Sequence, residues 1–159
     1  MSPVPPTPSP FPPPAAAVVP LAATDLAQVA AIEEAVFPEP LSYAEVVRLW
    51  ARDATVYLGV RDGDRLLAYF GFEVQGPTAH VISNATHPDA RRRGLGGLVL
   101  RAGEEFARAR GARWFLGEVR RSNVAQLRLL ARLGWRAVGL VPHFFGNGED
   151  AYAVWRLLP

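Results

Sequence analysis

The stretch Thr86-His87-Pro88-Asp89-Ala90-Arg91-Arg92-Arg93-Gly94-Leu95-Gly96-Gly97-Leu98 constrains this chain more than any other. It follows an apolar run that reads as a strand and opens an amphipathic run that reads as a helix. Arg91, Gly94 and Gly96 have the spacing Arg-x-x-Gly-x-Gly. Glycine has no Cβ and accepts positive φ, so the backbone can approach a ligand closely. A helix start presents unpaired N–H groups and the positive end of aligned peptide dipoles. Together they suit phosphate oxygens. The stretch is not a P-loop, because no Gly-Lys-Ser/Thr follows, and Val99 stands where the dinucleotide fingerprint needs a third small residue. The competing reading is a glycine-rich turn beside a solvated arginine cluster.

The chain has 159 residues, a length that suits one domain with its own core. No apolar run is long and unbroken enough to span a bilayer, and the start lacks the basic region of a secretory signal. No cysteine is present, which excludes a disulfide framework, thiolate metal ligands and a cysteine nucleophile. The cytosol is the expected compartment. Every basic side chain is arginine, which rules out a lysine Schiff base, and a net charge of +2 does not suggest nucleic-acid binding. Neither a nucleic acid nor a membrane is expected as a partner. The three histidines share no metal-ligand spacing, so no metal is expected.

Residues 1–14 are dominated by proline and are expected to form an extended tail ahead of a single domain at 15–159. A short strand is expected at 16–21, then a helix at 25–36 with Thr24 as its N-cap. Pro38 and Pro40 break that helix. Ser42 can cap a second helix to about residue 52, whose Tyr43, Val46, Val47 and Trp50 recur on one face. Strands at 55–61, 65–75 and 78–86, joined by Asp62-Gly63-Asp64 and Gly76-Pro77, read as an antiparallel meander. A helix at 94–110 ends at Gly111. A strand at 113–119, apolar on both faces, reads as central. A loop at 120–123, a helix at 123–133 and two strands at 135–141 and 150–157 complete the order. The meander requires antiparallel pairing, while the strand–helix–strand unit around Gly94 requires a parallel crossover. The fold class is therefore α/β, a mixed sheet with helices on both faces.

This order of elements, with Arg-x-x-Gly-x-Gly at the central turn, resembles the GNAT superfamily of acyl-CoA-dependent N-acetyltransferases over nearly everything after the proline tail. Three further stretches are similar to the bacterial branch that acetylates the N-terminal alanine of a ribosomal protein. Residues 34–42 resemble that branch's Phe-Pro-x-x-Trp-Ser loop, with Leu41 in place of Trp; residues 118–123 match its Glu-Val-Arg-x-Ser-Asn segment; and Gly148-Glu149-Asp150-Ala151 matches the opening of its last strand.

The resemblance implies acetyl-CoA as co-substrate, lying between two splayed strands. It implies that the amides of Arg92, Arg93, Gly94, Leu95, Gly96 and Gly97 hold the diphosphate, with Arg91 and Leu98 in the same turn. Backbone groups near Ala85, Thr86 and His87 would pair with the pantetheine arm, and Asn123 would contact the coenzyme. Glu118 would be the general base. The branch's proton-donating Tyr falls at Leu130, which cannot donate, and its Tyr-Tyr pair falls at Phe144-Phe145. Asn123, Leu127 and Leu130 share a helix face. His143 and Tyr152 are alternative acids, and Tyr43 and Trp50 are candidate walls of an acceptor groove. His80 reads as a strand residue facing a meander neighbour. The expected function is N-acetylation of a protein or peptide α-amine. The alternatives are acetylation of a small amine and a weakened acyl-CoA-binding module.

Overall fold

Two left-handed glycines, Gly63 at φ 57° and Gly76 at φ 60°, fold the middle of the chain back on itself twice. Side chains other than glycine rarely adopt that conformation, so each glycine fixes its turn. The computed structural model describes residues 17–159, and the proline-rich stretch at 1–14 lies outside them. The meander consists of β2 (Thr55–Asp62), β3 (Arg65–Gln75) and β4 (Thr78–Thr86). Before it come β1 (Val19–Pro20), α1 (Leu26–Val36) and α2 (Tyr43–Trp50). After it come α3 (Leu95–Ala109), β5 (Trp114–Arg120), α4 (Val124–Arg132), β6 (Arg136–Val141) and β7 (Ala151–Leu157). The expected mixed α/β architecture is present: one seven-stranded sheet in the order β1-β2-β3-β4-β5-β7-β6, parallel only between β4 and β5.

Alternation along the strands divides the core. Phe70, Phe72 and Phe115 point to one face, where Leu95, Val99 and Leu100 of α3 cover them. Tyr57, Leu66 and Tyr69 point to the other, against Leu26, Val29 and Ile32 of α1 and Val46 of α2. Helices therefore lie on both faces, but α1 and α2 cover only the β2–β4 half of theirs. On that face β5 presents Trp114 and Leu116 to solvent. β5 is central in its pairing, as its apolar character predicts, yet one face of its first half has no helix over it.

Three local expectations need correction. Thr24 does not cap α1: residues Ala23–Asp25 form a 3-10 turn, and the buried Asp25 carboxylate accepts from the Ala22 N–H at 2.8 Å. Tyr43 is exposed rather than on the buried face of α2, although Ser42 does cap that helix, accepting from the Glu45 N–H at 3.2 Å. Arg120, expected in a loop, is the last residue of β5 and is buried.

Gly103 marks where α3 presses closest on the sheet. A Cβ there would lie 2.4 Å from the Phe70 ring, which is held between Phe72 at 4.8 Å and Phe115 at 5.4 Å. Alanine gains about 1 kcal/mol over glycine in a helix, while overpacking a rigid core costs about 1–3 kcal/mol. Gly103→Ala is therefore expected to destabilise the fold by up to about 2 kcal/mol, read as a lower urea midpoint at unchanged slope.

Candidate active site

β4 and β5 run together for only three pairs, Thr78 with Trp114, Ala79 with Phe115 and His80 with Leu116. Beyond them β4 continues beside β3 and β5 beside β7. The β3–β4 register slips between Gly71 and Phe72, leaving Ile82 as an extra residue. Such a bulge bends its strand, and it lies just where β4 leaves β5. The opening is a cleft of about 370 Å³. Its floor is Val81 to Asn84 of β4 and Gly117 to Arg120 of β5, and α3 and α4 contribute Leu100, Asn123, Gln126 and Leu130. The α1–α2 and β6–β7 loops form the remaining walls, with Phe37, Glu39, Leu41, Phe144 and Phe145.

The glycine-rich turn lies beyond the end of β4, outside the cleft lining. Arg92 and Gly94 are left-handed, at φ 65° and 73°. Gly94 is the N-cap of α3, and no side chain caps that end. The first bond across it runs from the Leu98 N–H to the Gly94 carbonyl at 3.1 Å. The N–H groups of Leu95, Gly96 and Gly97 precede that bond and have no acceptor in the helix ladder. Leu95 is buried and Leu98 packs against the core, so both face the turn through their backbone alone. Gly96 serves packing as well, because a Cβ there would stand 3.1 Å from Leu129 on α4. The exposed side chains of Arg91, Arg92 and Arg93 surround the turn. The His87 imidazole braces the turn itself: Nδ1 accepts from the Asp89 N–H at 3.1 Å, and Arg65 pairs with Asp89 at 2.8 Å.

Asn84 and Gln126 face each other across the splay. The Gln126 amide donates to Asn84 at 3.0 Å and the Asn84 amide donates back at 3.3 Å. Asn123 caps α4, accepting from the Gln126 N–H at 3.3 Å. Ala85 and Thr86 continue β4, pairing with Tyr69 and Ala68, and the edge turned away from β3 meets no strand.

Glu118 points to the α1–α2 face of the cleft. Its carboxylate takes both oxygens to His80 Nε2, at 3.0 and 3.1 Å. That hydrogen bond holds the imidazole pKa above its usual 6.5, against the opposing effect of burial. The alternating pattern of β4 carries no sign of this pairing, which arises from the parallel register setting His80 beside Leu116.

Two buried polar groups hold the cleft walls. Glu33 on α1 accepts from the Tyr69 hydroxyl at 2.5 Å, from the Ser83 hydroxyl, and from the Leu41 N–H at 3.1 Å. The α1–α2 loop is thus tied to the sheet, and burial pushes the Tyr69 phenol well above its ordinary range. Arg120 donates to Glu39 at 2.6 Å, to Glu149 at 3.2 Å and to Asn147 at 3.1 Å, and its guanidinium lies 4.0 Å over the Phe145 ring. Hydrogen bonding from Arg120 holds Glu39 below the usual carboxylate range. Bonds from Ser122, then Arg120, do the same for Glu149. One buried cation thereby joins the α1–α2 loop to the β6–β7 loop.

Leu130 is buried between the cleft and a smaller apolar hollow of about 210 Å³ beneath α4, which Tyr152 also lines. Tyr152 does not line the cleft. His143 does not either; its backbone N–H donates to Asp150 at 3.0 Å and its ring meets the Gly148 carbonyl. Tyr43 and Trp50 do not line this cleft. Trp50 packs in the α1–α2 core and donates to the Leu21 carbonyl at 3.2 Å. Among the described residues no three acidic or histidine side chains could hold a metal ion, and no helix is long and apolar enough to cross a membrane.

Arg120→Met is expected to release both loops while the rest of the sheet stays paired. Amide exchange at residues 39–42 and 146–149 should then rise well above exchange in β5 and β7. Uniform exchange across the variant would contradict the clamp.

The model of the acetyltransferase (GNAT) family matches residues 26–135. An N-alpha-acetyltransferase of Sulfurisphaera tokodaii is 31% identical, over 81% of this chain and 85% of the relative. The crystal structure of the ribosomal-protein-S18-alanine N-acetyltransferase from Escherichia coli superposes with a TM-score of 0.81 at 23% identity, covering 89% of this chain and 93% of that one. Arabidopsis thaliana NAA60 in complex with acetyl-CoA does so with a TM-score of 0.81 at 16% identity, covering 89% and 98%.

Proposed function

The chain belongs to the GNAT acetyltransferase family, and we propose that it moves the acetyl group of acetyl-CoA to the α-amine of a protein or peptide. The observation that carries this reading is Glu118, paired with His80, at the open side of the cleft between β4 and β5. The residues fit acetyl-CoA. The N–H groups of Leu95, Gly96 and Gly97, which lack acceptors in the helix ladder, suit the diphosphate, with Arg91, Arg92 and Arg93 in the same turn. The unpaired edge of β4 offers backbone groups to the amides of the pantetheine arm near Ala85 and Thr86, whereas His87 donates its N–H to the Leu67 carbonyl and its own carbonyl accepts from the Ala90 N–H. Asn123 and the Asn84–Gln126 pair lie where that arm would pass.

Acetyl transfer needs a neutral amine. A peptide α-amine has a pKa of about 8, against about 10.4 for lysine, so a sizeable fraction is already neutral near pH 7.5. One carboxylate suffices to take the proton released as the C–N bond forms, and on this reading Glu118 takes it, directly or through a water. The names of the Sulfurisphaera tokodaii relative and of the Escherichia coli structure support an α-amine acceptor. Leu130 favours a second reading, a weakened acyl-CoA-binding module, because no hydroxyl stands at that point of the cleft. A thiol pKa of about 8.5 makes the thiolate a tolerable leaving group without an acid, which keeps the enzyme reading ahead.

Three outcomes test this. Glu118→Gln should lower kcat for peptides beginning with Ala, Ser or Met by about 10²- to 10⁴-fold, with the KM for acetyl-CoA little changed, followed as free thiol. An undiminished kcat would remove Glu118 from the chemistry. Below its raised pKa, His80 is an imidazolium that engages the Glu118 carboxylate as an ion pair. At saturating peptide kcat should therefore climb with pH through a pKa above 6.5, and His80→Gln should abolish that limb. A limb that persists in the variant belongs to another group. Leu130→Tyr should raise kcat where chemistry limits, and an unchanged rate and pH profile would deny this position a leaving-group role.

A further inference from the structure

One buried carboxylate reaches the cleft and takes no part in the proton transfer to Glu118. Glu33 is 2% exposed, yet it lines the opening between β4 and β5 together with Ser83. Ser83 owes its direction to the bulge at Ile82. His80 points to the α1–α2 face, where it meets Glu118. Unbroken alternation would bring Ile82 and Asn84 to that same face. The extra residue resets the alternation: Asn84 turns to Gln126 on α4, and Ser83 turns to Glu33 on α1. Val81 falls level with Gly117, where a Cβ would stand 3.1 Å from it, so Ile82 and Ser83 come level with Glu118 and Val119. Ser83 and Glu118 therefore stand on opposite sides of the opening and on the same face of the sheet.

The hydrogens around Glu33 are allotted. Tyr69 has one hydroxyl proton and gives it to Glu33 at 2.5 Å, and the Ser83 hydroxyl gives its own to the same carboxylate oxygen. Tyr69 approaches Ser83 at 3.0 Å with no proton to spare. A serine hydroxyl is one donor with two acceptor lone pairs. Ser83 is thus fixed as an acceptor, and donation to a buried carboxylate strengthens it in that role. It is half-buried, with its free side toward the cleft. We infer that Ser83 is the second contact of the acceptor α-amine, opposite Glu118, and that Glu33 and Tyr69 hold its hydroxyl in place. The inference rests on the α-amine reading above. A neutral primary amine has two N–H groups and one lone pair. One N–H on Ser83 and the other on Glu118 leave the lone pair to face the thioester carbonyl. As the C–N bond forms and the C–S bond breaks, Glu118 takes one proton and CoA leaves as the thiolate. The other N–H stays on Ser83 into the amide product. A secondary amine has a single N–H and must give it to Glu118, so this contact selects primary amines.

The test uses a peptide beginning with Ala and two derivatives of it. One is the Nα-acetyl product; the other is the same product methylated on that nitrogen, which removes its N–H. In Ser83→Ala, Glu33 keeps its bonds from Tyr69 and the Leu41 N–H, so the fold is expected to hold. In that variant kcat/KM for the free peptide should fall about tenfold, the worth of one hydrogen bond, with the KM for acetyl-CoA unchanged. The inhibition constant of the acetyl product, measured with CoA present, should rise by the same factor, while that of the methylated product should not move. Ser83→Thr keeps the hydroxyl and should match the parent in all three measurements. Equal weakening of the two products makes Ser83 a support for α1 and overturns the contact. An unchanged kcat/KM in Ser83→Ala, or a threonine variant as impaired as the alanine one, overturns it too. In each of these cases the parent still turns the peptide over, and the α-amine reading stands. No turnover of peptides beginning with Ala, Ser or Met by the parent overturns that reading and the contact with it.

Discussion

The parting of β4 from β5 is the constraint on which the rest of this structure depends. Three parallel pairs hold the two strands together, and then each strand keeps a single partner. A parallel ladder abandoned in mid-sheet leaves backbone donors and acceptors without partners, a state tolerated only where a ligand or water meets them. The Ile82 bulge turns β4 aside, and the helices that follow β4 and β5 place their N-termini at the same end of the sheet. The open ladder and the Glu118 carboxylate thus meet in one cleft, and the start of α3, with no side-chain cap, lies beyond the end of β4 outside it. A thioester laid into it would meet backbone amides along its arm and a carboxylate at its reactive end.

The walls of that cleft are held by buried polar groups, where a hydrophobic clamp would have been simpler. Glu33 is satisfied by Tyr69, Ser83 and the Leu41 N–H, and Arg120 by Glu39, Asn147 and Glu149. Removing one partner from such a network leaves another buried group uncompensated, so the arrangement resists gradual loosening. Both networks fasten the α1–α2 loop, one to the sheet and the other to the β6–β7 loop. The geometry around Glu118 therefore rests on charged groups, Arg120 beside it in β5 and Glu33, Glu39 and Glu149 from distant segments.

Much of this was legible in the chain itself. The glycines at 63, 76, 94, 111 and 134 marked turns and helix ends that the structure shows with positive φ. The strand periods located β3 and β4 to the residue, and Ser42 announced its cap. Of the proposed site, the sequence marks the segments that carry their own signal, the 91–97 turn and the 118–123 run. What could not be read came from pairings between distant segments. His80 meets Glu118 through a parallel register that neither strand encodes alone. Arg120 reads as loop because a basic residue beside Arg121 looks solvated until Glu39 and Glu149 are brought to it. β5 reads as central because it is apolar on both faces, and alternation reports side-chain character, not whether a helix arrives to cover Trp114 and Leu116.

One measurement bears most directly on the central claim: a crystal structure of the protein with a bisubstrate analogue in which CoA is joined through its acetyl group to a peptide α-nitrogen. The account predicts the diphosphate on the amides of residues 92–97, the arm between β4 and β5, and the α-nitrogen within hydrogen-bond reach or one water of Glu118. A diphosphate held elsewhere, or an α-nitrogen remote from Glu118 with another group beside it, would contradict it.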